Sequence, residues 1–137
     1  MDFDQNAADQ LGSDGCLDFS DRANRGLPDL WFNDAIACPY KALYDEIYSK
    51  SMSRADFWVA AANAVIKNAS PNKSIDLPFR WGRIDSDNCS NSSGRLPKPV
   101  GCGDVEGVFI NRMGLTWTDA VALMGAHTLG RGDKDFT

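Results

Sequence analysis

The sequence predicts a mostly α-helical protein, and three features of it carry that expectation. Tyr40, Leu43, Tyr44, Ile47 and Tyr48 fall at i, i+3, i+4, i+7 and i+8, which is one face of a helix with 3.6 residues per turn. Ser53-Arg-Ala-Asp56 and Thr116-Trp-Thr-Asp119 both have the form of a capping box, in which a hydroxyl and a carboxylate satisfy backbone N–H groups at a helix start. Phe57-Trp-Val-Ala-Ala-Ala-Asn-Ala-Val-Ile66 is apolar nearly all round, as a central core helix would be.

Taken in order, residues 1–26 read as loop. Gly12-Ser-Asp-Gly-Cys16 is rich in turn formers, and Asp18, Asp21, Arg22 and Asn24 follow. That pattern suits a carboxylate loop for calcium or a solvated turn. Residues 27–37 predict a short helix with Pro28 in its first turn and Leu30, Trp31 and Ile36 facing inward. Cys38-Pro39 then opens the helix of the tyrosine stripe, with Lys41, Asp45, Glu46 and Lys50 on its wet face. Packing explains the spacing of the three tyrosines better than radical transfer does. Ser53 starts the apolar helix, in which Trp58 is a core residue.

Residues 68–100 hold Pro71, Pro78, Pro97 and Pro99 and show no helical period. Long loops of this kind are functional or exposed. Cys102-Gly-Asp104 begins a further helix through Val105, Val108, Phe109 and Met113, which stops at Gly114. Thr116 caps the last helix, and Gly130 fits its end.

At 137 residues the chain makes one domain at most. Its 43% hydrophobic content suffices for a packed core. The net charge of −5 argues against nucleic-acid binding, and no stretch approaches the ~18 apolar residues of a membrane span. Met1 to Gln10 is acidic and polar, unlike a signal peptide. Two features nevertheless predict an extracellular, secreted protein. Cys16, Cys38, Cys89 and Cys102 form an even set. Asn68, Asn72, Asn88 and Asn91 each head an Asn-x-Ser sequon and are candidate sites for N-glycans. Cys89 and Cys102 bracket a short loop and are the favoured disulfide, with Cys16–Cys38 as the second.

The only histidine, His127, stands at the end of the last helix. Trp117, Val121 and Met124 share one helical spacing; Ala120, Leu123 and His127 share another. His127 is therefore expected on or beside the buried face. Gly125 and Ala126 leave room for a large flat group close to the backbone. An imidazole so placed is a candidate metal ligand, and the competing reading is a hydrogen-bonded core histidine.

Val121-Ala-Leu-Met-Gly-Ala-His127-Thr-Leu-Gly-Arg131 resembles the proximal-histidine motif of the plant, fungal and bacterial haem peroxidase superfamily. Other landmarks follow in family order. Gly12-Ser-Asp-Gly15 resembles the loop after the distal helix, and Asn24-Arg-Gly-Leu27 the next landmark. Ala55-Asp-Phe57 resembles the start of a buried helix. Leu77-Pro-Phe-Arg-Trp-Gly-Arg-Ile-Asp85 resembles the Pro-x-x-x-Gly-Arg-x-Asp segment at the haem edge, and Gly94-Arg-Leu-Pro97 follows it. The resemblance runs from about Gly12 to Arg131. It implies part of the all-helical haem peroxidase fold, within a single partial domain over 1–137. It also implies haem b, with His127 as the axial ligand of iron and Pro78, Arg80 and Thr128 as further cofactor-binding residues. A calcium or potassium ion near Thr128 is implied as well. In the distal calcium loop, Gly12 and Asp14 match two ligands and Cys16 stands where a Ser would be. A purely structural Arg83–Asp85 turn is the alternative reading of the Gly-Arg-x-Asp segment.

The implied reaction is peroxidase chemistry, reducing hydrogen peroxide and oxidising a small-molecule electron donor. The family's distal His and Arg precede this stretch, and the Asp that partners the proximal His follows it. The chain is thus expected to be an internal portion that supplies no catalytic residue of its own. The alternative is a catalytically silent, glycosylated extracellular protein that keeps the peroxidase fold for structure or binding. Met-Gly-Ala-His and Gly-Arg-Ile-Asp point to the intracellular branch that includes cytochrome c and ascorbate peroxidases; the cysteines and sequons point to secreted branches.

Overall fold

The computed structural model describes residues 3–8, 12–32, 40–71, 73–89, 95, 97, 98 and 101–128. Their regular structure is helical, with no strand among them. No described helix is long and apolar enough to cross a membrane. The chain divides into two compact units, Gly12–Ser93 and Met1–Leu11 with Gly94–Thr137.

In the Gly12–Ser93 unit, a 3-10 turn over Arg22–Asn24 precedes helix α1, Leu27–Phe32. Helix α2, Tyr40–Leu43, widens into a π-helical turn over Tyr44–Tyr48, closed by the Ser49 N–H donating to the Tyr44 carbonyl at 2.8 Å. Helix α3 spans Arg54–Ala69. The three tyrosines of the stripe, Tyr40, Tyr44 and Tyr48, pack as their spacing predicts, with rings 6.5, 5.3 and 5.5 Å from that of Phe57. Ile47 of the same stripe is 61% exposed, because the π-helical turn shifts the helical phase. Trp31 joins the same cluster, 6.5 Å from Phe57 and 5.4 Å from Trp58. Residues 33–39, including Ile36 and Cys38, and the side chain of Leu30 lie outside the described residues.

Helix α3 departs from expectation in two ways. It is not buried all round: Ala55, Asp56 and Phe57 are buried, whereas Val65 is 52% exposed. Its burial is concentrated in the first turn, because that turn is where other segments are tied to it. Second, only half of the predicted capping box forms. Ser53 Oγ accepts the Asp56 N–H at 3.0 Å, but the Asp56 carboxylate turns away to a distant segment. There it accepts the Gly82 N–H at 2.9 Å and the Arg83 guanidinium at 2.8 Å.

The exchange is reciprocal. Asp85 accepts the N–H groups of Arg54 and Ala55 at 2.9 and 2.8 Å, two of the donors that a helix start leaves unsatisfied. Arg54 then reaches the loop before it, donating to the Gly15 carbonyl at 2.6 Å and to Ser86 O at 3.2 Å. The Ser86 N–H donates to the Asp14 carbonyl at 2.8 Å. Arg83 and Asp85 thus each bind the start of α3 and not each other, unlike the Arg83–Asp85 turn of the alternative reading. Gly15 sits at φ +71°, where a Cβ would lie 2.8 Å from Asp85 Oδ1 and 2.9 Å from the Ala55 nitrogen.

These contacts correct the disulfide pairing. The bond joins Cys16 and Cys89, whose Cα atoms are 5.5 Å apart, while Cys102 is a free, exposed thiol. The loop at 14–16 and the segment at 85–89 converge on the N-terminus of α3, and that non-local convergence outweighs nearness in sequence.

The second unit is built on helix α4, Gly101–Val105, its π-helical continuation Glu106–Arg112, and helix α5, Trp117–Met124. Val108, Phe109 and Ala120 form its buried core, packed by Val105, Ile110, Met113, Leu115 and Leu123. Residues near the N-terminus fasten to the same unit. The Gln5 N–H donates to the Arg112 carbonyl at 2.8 Å and Asn6 Nδ2 to Asn111 O at 3.0 Å.

Gly15→Ala is expected to destabilise the chain by about 2 kcal/mol or more, since positive φ and two close contacts combine; urea denaturation reads this directly. Burial pushes the Asp56 carboxyl up, but the Gly82 N–H, then the guanidinium and N–H of Arg83, outweigh it and hold it below the ordinary carboxylate range. Its stabilisation is therefore complete above the unfolded value of about 3.9 and fades as pH falls through the lower folded value. Asp56→Asn should flatten that acid limb and cost about 2–3 kcal/mol, toward the low end for a buried pair because the Arg83 side chain is 28% exposed. Urea midpoints between pH 3 and 7 test both effects.

Candidate functional site around His127

Helix α5 positions the histidine. Its start carries a complete capping box: the Asp119 N–H donates to Thr116 Oγ1 at 3.2 Å, and the Thr116 N–H donates to the Asp119 carboxylate at 3.1 Å. The Thr116 hydroxyl also donates to that carboxylate, at 2.6 Å. This hydroxyl, then the Thr116 N–H, lowers the Asp119 pKa. The charge sits where the positive end of the helix favours it.

The helix has two apolar faces. Ala120 and Leu123 turn toward the core. Trp117, Val121 and Met124 stay 50%, 67% and 41% exposed. After Met124 the backbone tightens into a 3-10 turn, Gly125–Thr128, which carries His127 into solvent. The expected place on the buried face is thus corrected: tightening from 3.6 to three residues per turn rotates His127 away from the Ala120–Leu123 line.

The imidazole is oriented nonetheless. Its Nδ1 lies 3.0 Å from the Met124 carbonyl oxygen, and when Nδ1 donates there, Nε2 keeps its lone pair. Thr128 Oγ1 donates to the Gly125 carbonyl at 2.7 Å. A Cβ built on Gly125 would meet nothing within 4 Å, so the space before it is open. One outward nitrogen, small residues beside it and an apolar helix face suit a large flat group carrying one metal ion. No described group of three or more His, Cys, Asp or Glu side chains suits a metal held by protein alone. Asp14 in the calcium-like loop accepts the Cys16 N–H at 2.9 Å.

Pro78 and Arg80 lie exposed in an irregular segment of the Gly12–Ser93 unit, whereas His127 and Thr128 belong to the other. Phe79 and Trp81 pack edge-to-face at 4.7 Å, with the Arg83 guanidinium 5.5 Å from the Phe79 ring. The Arg80 carbonyl accepts from Arg83 at 2.5 Å. The Met124 carbonyl is a participant that side-chain spacing does not reveal. Among the sequons, Asn68 and Asn88 are exposed, and Asn72 and Asn91 lie outside the described residues.

The regular structure of the described residues is entirely helical. The peroxidase family profile matches residues 16–137, and the chain belongs to that family. It is 39% identical over 92 residues to L-ascorbate peroxidase T, chloroplastic, of Arabidopsis thaliana, covering 62% of this chain and 20% of that protein. It is 34% identical over 85 residues to the mitochondrial cytochrome c peroxidase of Candida albicans, covering 61% and 22%. To the probable L-ascorbate peroxidase 8, chloroplastic, of Oryza sativa subsp. japonica it is 34% identical over 134 residues, covering 90% and 25%. No solved structure gives a significant match. The matches span between 20% and 32% of the length of these curated relatives and others like them.

The relatives correct the expected secreted setting. They are named as chloroplastic, mitochondrial, cytosolic and peroxisomal proteins. Sequons record only a short residue pattern, and a loop rich in Asn and Ser produces them without any secretory route.

Thr116→Ala removes one half of the capping box and is expected to cost about 1 kcal/mol. The loss should appear as faster amide exchange in the first turn of α5.

Proposed function

We propose that this chain forms the proximal, histidine-bearing part of a haem-dependent peroxidase that reduces hydrogen peroxide and oxidises a small organic donor. The observation that carries this reading is the exposed His127 ring, whose Nδ1 lies 3.0 Å from the Met124 carbonyl oxygen, with open space at Gly125 nearby. Histidines that ligate metals commonly donate their second ring N–H to a carbonyl or carboxylate, which fixes the tautomer and raises ligand basicity. His127 would hold the iron through Nε2, with the apolar face of Trp117, Val121 and Met124 excluding water from the same side. The haem, when bound, supplies the iron at which peroxide is reduced. Thr128 would keep its hydroxyl lone pairs for a calcium or potassium ion while donating to Gly125.

Pro78 and Arg80 are nominated as pocket residues by the resemblance of their segment to the family's haem-edge motif. The chain is read as a single partial peroxidase domain over 1–137. Its setting follows the compartments named for its relatives, so N-glycans form no part of this reading.

Haem titration of the full-length protein tests the assignment. A Soret band that shifts on adding peroxide is expected, and His127→Ala should abolish the shift while changing stability by less than about 0.5 kcal/mol, as for an exposed residue. Haem binding that is unchanged in His127→Ala would remove His127 as the ligand. No binding at all would favour a protein that keeps the fold without the chemistry.

A further inference from the structure

The Cys16–Cys89 bond lies where the Gly12–Ser93 unit is tied together. It spans 73 residues of sequence, and both ends belong to segments that hold the start of α3. On one side, the Asp14 carbonyl accepts from Ser86 and the Gly15 carbonyl from Arg54. On the other, Asp85 binds the N–H groups of Arg54 and Ala55, and Arg54 reaches Ser86 and Asp87. Neither cysteine is fully buried, so a thiol reagent can approach. Asp87 beside them is almost wholly exposed.

We propose that Cys16–Cys89 is a reversible redox latch, opened by a dithiol reductant of the thioredoxin class, that sets how tightly the Gly12–Cys16 loop and the Gly82–Cys89 segment grip the start of α3. In the intracellular setting proposed above, on which this inference rests, lasting structural disulfides are rare and those present are commonly redox-sensing. The chemistry is thiol–disulfide exchange. A reductant thiolate attacks one sulfur of the bond, forming a mixed disulfide and expelling the other cysteine as a thiolate, which takes up a proton. The second reductant thiol resolves the mixed disulfide and leaves as the oxidised reductant. Two electrons and two protons pass to the pair.

The hydrogen bonds at the start of α3 do not depend on the sulfur bridge itself, so the reduced form opens them transiently and locally without unfolding. Losing the cross-link returns chain entropy to the open state, which raises its population. The Gly82–Cys89 segment continues from the stretch carrying Pro78 and Arg80, so the latch also controls the rigidity of that stretch.

Hydrogen exchange of the full-length protein, oxidised and then reduced by dithiothreitol or reduced thioredoxin, tests this, with thiol labelling to confirm the state of both cysteines. Amides at 14–16, 54–57 and 82–89 should exchange at least about tenfold faster after reduction and recover on reoxidation, while those of α5 stay unchanged. Cys16→Ser with Cys89→Ser should show the open pattern in both conditions, and Cys89→Ser alone provides a second variant should the pair fail to fold. Equal acceleration in α5 would mean a purely structural bond, and unchanged exchange in a verified reduced sample would mean that the bond holds nothing. Resistance to thioredoxin under conditions where dithiothreitol succeeds would also overturn the latch. Haem titration is scored separately, so failure of the latch and failure of the peroxidase reading are distinguishable.

Discussion

The exchange of carboxylates at the start of α3 is the constraint on which the Gly12–Ser93 unit depends. A helix start leaves several backbone N–H groups without partners, and here an aspartate from 30 residues onward supplies two of the acceptors. The helix returns its own aspartate to the same segment, where Asp56 is only 3% exposed yet binds the Gly82 N–H and the Arg83 guanidinium. A carboxylate this buried is tolerated because it is paired and hydrogen-bonded. The irregular segment, with no strand partner among the described residues, gains its position from a helix end.

The same exchange accounts for what was legible in the sequence. Local rules read correctly wherever the partner is local. The Thr116–Asp119 box closes on itself, and the three tyrosines of the stripe pack on Phe57 as a helical face should. Ser53–Asp56 has the same wording but completes only half its box, because a partner 26 residues away takes the carboxylate. No local pattern encodes that. The disulfide departs from expectation for a related reason: nearness along the chain favours Cys89 with Cys102, while convergence on α3 sets Cys89 against Cys16. The π-helical turns at Tyr44–Tyr48 and Glu106–Arg112 have no signature in the apolar spacing.

At the candidate site, helical spacing and the local backbone diverge. Spacing grouped His127 with Ala120 and Leu123, yet the 3-10 turn carries it outward. The small residues Gly125 and Ala126 beside the lone histidine are what the sequence offers as room for a flat group. What fixes the ring is a main-chain oxygen, which side-chain patterns do not show.

The discontinuity of the unit containing α5 has a consequence for synthesis. Its Gln5–Arg112 and Asn6–Asn111 contacts join residues more than a hundred positions apart, with the whole Gly12–Ser93 unit intervening. On the ribosome, the inner unit emerges complete before the outer one has its second half. The N-terminal segment must therefore wait, unpaired, through the time needed to translate roughly a hundred residues, on the order of 5–20 s. The order of assembly of these two units is written into the topology: the inner unit can close before the outer one.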